Sequence, residues 1–92
     1  MDVKEAVRTA KEYIADLFAN EGVSNLGLEE VEFDDGKRTW QVTIGFSRPW
    51  DRPSAAFTAI MQGSSLPRSY KVVRIDDASG HVLSVKARET RS

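Results

Sequence analysis

Ninety-two residues, 40% of them apolar and 29% charged, make one domain spanning 1–92, with room for one modest core and not for a second. The absence of cysteine excludes disulfides, thiolate metal sites and cysteine nucleophiles, and fits a reducing compartment. Net charge is −1, but residues 1–47 carry ten acidic against five basic side chains and 48–92 carry four against eight, so the chain is an electrostatic dipole rather than a uniformly basic nucleic-acid binder.

In chain order, the first expected element is a helix over 3–18. Val3, Ala6, Val7, Ala10, Ile14, Leu17 and Phe18 recur at three- and four-residue spacing, with Lys4, Glu5, Arg8, Lys11, Glu12 and Asp16 on the other side. Asp2 with Glu5 forms a capping-box pattern, and Gly22 supplies the stop. A turn is expected at 24–27. Residues 28–33 then alternate Glu29, Val31 and Phe33 against Glu30 and Glu32, which predicts a strand. The tetrad 34–37, Asp-Asp-Gly-Lys, contains residues that tolerate positive φ, so it predicts a hairpin that sets Val31 and Phe33 beside Trp40 and Val42.

The clearest alternation lies in 40–46. Trp40, Val42, Ile44 and Phe46 share one face, and Gln41, Thr43, Gly45 and Ser47 share the other, which predicts an antiparallel sheet with one covered and one wet side. Two more strands are expected over 68–76 and 81–88, joined by a turn at 76–80, with Leu83, Val85 and Ala87 inward and Ser84, Lys86 and Arg88 outward. No apolar run approaches the roughly 20 residues that span a bilayer. The sequence therefore reads as cytoplasmic, without a membrane partner.

Between the second and third strands stands a stretch of about 20 residues, a long loop or a short helix at 55–61, longer than a meander needs. Its opening, Arg48-Pro49-Trp50-Asp51-Arg52-Pro53, combines two prolines with the residue types enriched at binding hot spots. Arg48, Trp50, Asp51 and Arg52 are thus the candidate partner-binding residues. The alternative is that Trp50 folds back to cap the core with an arginine stacked on its ring.

Chemistry has few places to reside. The single histidine, His81, would need Asp76 or Asp77 to orient it as a base. The carboxylates at Glu30, Glu32, Asp34 and Asp35, and the pair Asp76-Asp77 with Ser79, lack the ligand spacing of a calcium loop. No glycine-rich phosphate cradle occurs. No metal site, cofactor or catalytic residue is expected. Lys86 and Arg88, with either Arg74 or Lys71, form a basic sheet face, but Tyr70 is the one aromatic on those strands, so nucleic-acid binding is expected to be weak at most.

The closing stretch Tyr70-Lys-Val-Val-Arg-Ile-Asp-Asp-Ala-Ser-Gly-His-Val-Leu-Ser84 resembles the strand, Asp-x-x-x-Gly turn and strand that end PepSY-like and other small cystatin-like domains. Trp40-x-Val42, Arg48-Pro49 and Tyr70-x-Val72 are similar, over fewer residues, to the gas-vesicle accessory protein O family. The first resemblance implies an α+β fold in which one N-terminal helix packs on a curved four-stranded antiparallel meander. It also implies a binding or inhibitory module without catalytic residues. The expected function is accordingly a small non-catalytic accessory module for a protein partner, with a homodimer left open. The alternatives are a small-molecule-binding or enzymatic cone between helix and sheet, marked by an apolar cavity near Tyr13, Trp40 or Phe57, and a weak nucleic-acid binder.

Overall fold

The computed structural model describes residues 1–48 and 69–88. One helix, α1 (Val3–Leu17), packs on a four-stranded antiparallel sheet in the order β1-β2-β3-β4, formed by Ser24–Asp34, Thr39–Ser47, Ser69–Asp76 and Val82–Ala87. This is the α+β arrangement expected from the sequence; the long loop or short helix expected at 55–61 lies outside the described residues.

The helix begins where its capping box places it. The Asp2 carboxylate accepts the Glu5 backbone N–H at 2.8 Å, and the Glu5 carboxylate accepts the Asp2 N–H at 3.3 Å, so two otherwise orphaned donors are satisfied. A short 3-10 turn, Ala19–Glu21, follows, and Gly22 ends it at φ 64°, a left-handed conformation that a glycine adopts without a Cβ clash.

Ala6, Ala10 and Ile14 form the fully buried stripe of α1. They lie with Val42, Ile44, Phe46, Val73 and Ile75 in one core. Two alanines on that stripe let the helix axis approach the sheet closely. Val7, Phe18, Val31, Trp40, Val82 and Val85 close around it as partly buried neighbours. An aromatic pair stands at each end: Phe33 and Trp40 at the hairpin end, with centroids 4.9 Å apart, and Phe18 and Phe46 at the other, 5.5 Å apart.

Several expected positions are corrected. Leu17 continues the helical spacing but is 53% exposed, because the chain leaves the α-helix at Phe18 and the buried stripe ends at Ile14. The first strand starts at Ser24, where a turn was expected. Its register with β2 shifts twice, between Ser24 and Gly27 and between Leu28 and Glu30. In the second shift Glu29 is the extra residue between the pairs Leu28–Ile44 and Glu30–Thr43, so Leu28 stands against Ile44 and Val31 against Val42, on the helix face together. Glu29 therefore does not share the alternation of Val31 and Phe33. The hairpin's left-handed residue is Arg38, at φ 53°, rather than one of 34–37.

A third shift, between Arg74 and Ile75, re-phases β4: Val73 faces Val85 but Ile75 faces Val82. Val82 thereby joins the core, and Leu83, expected inward, is 51% exposed; Ala87 is exposed too. The outer side of β2 is not wet either. Thr39, Thr43, Gly45 and Ser47 are buried, so β2 is enclosed on both faces along most of its length.

Ile44→Ala is expected to cost roughly 2 to 5 kcal/mol in chemical denaturation, because it opens a void under the helix. Leu83→Ala should cost less than about 1 kcal/mol, since that side chain has little contact to lose. Equal losses for the two would refute the bulged register of β4.

Candidate functional site

Of the candidate partner-binding residues, Arg48 lies within the described chain, and Trp50, Asp51 and Arg52 lie outside it. Arg48 follows the last residue of β2 and turns inward. Its guanidinium donates to Glu21 Oε1 at 3.2 Å and to Ser69 Oγ at 2.8 Å and sits 5.6 Å from the centroid of the Phe46 ring. The side chain is 19% exposed. It ties the end of the helical segment to the ends of β2 and β3, which fixes where the chain departs toward Trp50.

At the opposite end, Asp77 gathers three donors. Trp40 Nε1 donates to Asp77 Oδ1 at 2.9 Å, the N-terminal ammonium approaches the same oxygen at 3.7 Å, and the Arg38 guanidinium reaches Oδ2 at 3.7 Å. The Asp77 backbone N–H donates to the Arg38 carbonyl at 3.1 Å, so the two hairpin turns are also joined through the main chain. Arg38 completes the group with Asp35 at 3.2 Å and the Phe33 ring at 5.2 Å. These bonds use the carboxylate to close one end of the core. They leave it committed to Trp40, Arg38 and the ammonium rather than to His81.

Asp76 organises the neighbouring turn. Its Oδ2 accepts from both the backbone N–H and the hydroxyl of Ser79, each at 2.8 Å, and Gly80, at φ 77°, donates its N–H to the Asp76 carbonyl. The bond from the Ser79 N–H, then that from its hydroxyl, hold the Asp76 carboxyl below the usual aspartate range against the opposing effect of burial, with lesser help from the Ala78 N–H and His81. Its bonds are those of an Asx turn, a structural use. His81 is exposed. Among the described residues no three His, Asp or Glu side chains come together in a way that could hold a metal ion.

One groove among the described residues is not indicated by the sequence pattern. Along the N-terminal half of α1, Val3 and Val7 face Leu28 and Val31 of β1 across a groove of about 640 Å³, with Lys4, Arg8, Lys11 and Glu12 along its helix side. Val3 is 44% and Leu28 42% exposed. None of Lys4, Arg8 or Lys11 has an ion-pair partner among the described residues. Of the residues named for the expected cone, neither Tyr13 nor Trp40 lines this groove, and Phe57 lies outside the described residues. Its one sequence signal was the three-residue step from Leu28 to Val31, which places both on one face only if a residue between them bulges out.

The outer face of the sheet is graded in charge. Pairing aligns Glu30, Thr43, Val72 and Lys86 in one row and Glu32, Gln41, Arg74 and Ser84 in the next. Arg74 therefore belongs to the basic face. Lys71 stands opposite Ile44 on the helix side, with its ammonium 5.8 Å from the Phe18 ring. Among the described residues, ion pairs between the two halves of the chain are Arg48–Glu21, Arg38–Asp77 and the N-terminal ammonium with Asp77. No helix among the described residues is long and apolar enough to cross a membrane. No family model, curated protein or solved structure matches the chain.

Because the folded Asp76 pKa lies below its unfolded value, the turn contributes stability that is fully present above the ordinary carboxylate pKa. That contribution is lost as pH falls through the lower folded value. Asp76→Asn is expected to flatten the acid limb of a melting-temperature profile below about pH 4. A variant whose acid limb matches that of the parent chain would refute this role.

Proposed function

We propose that this protein is a small, non-catalytic binding module that takes a segment of a protein partner in the groove between α1 and β1. The observation that carries this reading is the groove itself: an apolar floor of Val3, Val7, Leu28 and Val31, bordered by Glu12 and by three cations, Lys4, Arg8 and Lys11, that have no ion-pair partner among the described residues. Apolar contact supplies affinity there. Lys4, Arg8 and Lys11 select a segment that carries acidic side chains beside its apolar ones.

The shape also favours a polypeptide over a small molecule. The groove is open to solvent between the helix and β1 rather than an enclosed cavity, which suits the side chains of a polypeptide segment. A small molecule would gain more from an enclosed site. Catalysis is disfavoured by the bonding of Asp76 and Asp77, both of which serve the turns rather than His81.

Arg48, Trp50, Asp51 and Arg52 form the second proposed contact. Arg48 would act as the fixed base of that contact, because its bonds to Glu21 and Ser69 hold the point from which Trp50 follows.

Leu28→Glu should leave the melting temperature within a few degrees of the parent chain and weaken partner binding tenfold or more, as should the rim variant Arg8→Glu. Affinity capture with the immobilised full chain, comparing parent, Leu28→Glu, Arg8→Glu and Trp50→Ala, tests this. Undiminished retention of the same proteins by Leu28→Glu and Arg8→Glu would refute the groove, and selective loss with Trp50→Ala would move the contact to 48–52.

A further inference from the structure

The two edge strands carry opposite charge on the same face of the sheet. β1 presents Glu30 and Glu32. β4 presents Lys86, followed by Arg88, whose backbone N–H still donates to the Tyr70 carbonyl at 3.0 Å and whose guanidinium lies 5.9 Å from the Tyr70 ring. Neighbouring strands are about 4.8 Å apart, so the acidic and basic edges stand roughly 14 Å from each other, too far to pair within one molecule. Glu30, Glu32 and Lys86 make no ion pair among the described residues, and there no further strand joins the outer edge of β1 or of β4.

The helix face repeats the complementarity in apolar terms. β1 shows Leu28 and Val31 beneath the groove. β4 shows Val85 and Ala87, opposite Val73 and Lys71, with Leu83 exposed beside them.

We propose that the occupant of the β1 edge is a second copy of this chain, whose β4 adds antiparallel to β1, head to tail. The register that fits sets Lys86 of one copy against Glu32 of the next and Arg88 against Glu30. It brings Val85 against Phe33 and Ala87 against Val31 on the helix face, so charge and apolar surface match together. This contact goes beyond the reading of the groove and does not depend on it: it uses the outer-face charges of β1 and β4 rather than the cations on the groove's helix side. Two-fold arrangements fail the same criterion: β1 against β1 sets carboxylates opposite carboxylates, β4 against β4 sets cations opposite cations, and like charges directly across a strand pair are destabilising. The contact is therefore heterologous, and repetition gives a ring or a chain of copies rather than a closed dimer. The bulges at Glu29 and Leu83 confine the pairing to 30–34 against 84–88, which makes the association weak, reversible and sensitive to salt.

Sedimentation of the purified full chain from about 10 µM to about 1 mM, at about 20 mM and about 0.5 M salt, provides the test. The average mass should rise past two copies at low salt without a plateau at the dimer, and high salt should weaken the association tenfold or more. Glu32→Lys and Lys86→Glu should each abolish it. An equimolar mixture of these two variants should assemble again, because each then offers the edge that the other lacks. A monomer at every concentration, or a discrete dimer indifferent to both substitutions, overturns the proposal. If the chain stays monomeric while Leu28→Glu still strips captured proteins, self-association fails and the groove reading stands. If the charge variants behave as stated and captured proteins are unaffected by Leu28→Glu and Arg8→Glu, the groove reading fails and the edge pairing stands.

Discussion

A single helix about 10 Å across cannot cover a sheet whose outer strands lie roughly 14 Å apart, and most features of this molecule follow from that mismatch. The helix buries its Ala6, Ala10 and Ile14 stripe over the middle of the sheet, against residues of β2 and β3. Cover thins toward both edges. On one side it leaves Leu28 and Val3 half exposed around the groove, and on the other it leaves Leu83 and Ala87 in solvent. A wider helix face would not have changed this, because the stripe is limited by the geometry of one cylinder on a plane rather than by the number of apolar residues available to it.

The uncovered width raises the demand on the two ends of the core. Each is closed by an aromatic pair and a cation, and each cation is held by carboxylates from elsewhere in the chain. At the hairpin end Phe33, Trp40 and Arg38 converge on Asp77, which binds the two turns and the start of the helix into one cluster. At the other end Phe18, Phe46 and Arg48 converge with Glu21 and Ser69. Charge contributes little on an open surface; here the largely buried partners are Asp77 at one end and Arg48 at the other, and each fixes how the elements around it meet.

The parts of the fold legible in the sequence are those set by local chemistry. Asp2 and Glu5 announce the helix start, Gly22 its end, and the alternation from Trp40 to Phe46 the central strand, because each needs only its own neighbours. The bulges were not legible. An extra residue such as Glu29 or Leu83 breaks no propensity rule, and only pairing with the next strand reveals which residue has been left out. The same holds for the site. Residue type alone marks Arg48 as a candidate contact, but its bonds to residues 27 and 21 positions away depend on the finished fold. The groove needed the bulge at Glu29 and the helix in place before Leu28, Val31, Val3 and Val7 formed one surface.

The enclosure of β2 has a consequence for how the molecule opens. It is hydrogen-bonded to a neighbour on each side and buried on both faces from Val42 to Ser47, whereas β1 and β4 each have one neighbouring strand among the described residues and several exposed residues. Local fluctuations can therefore peel an edge strand while the centre stays intact, and the amides of β2 exchange with solvent only when the whole domain unfolds. Stability is thus layered across the sheet: the strand that organises the core opens last, and the strands that meet other molecules open first.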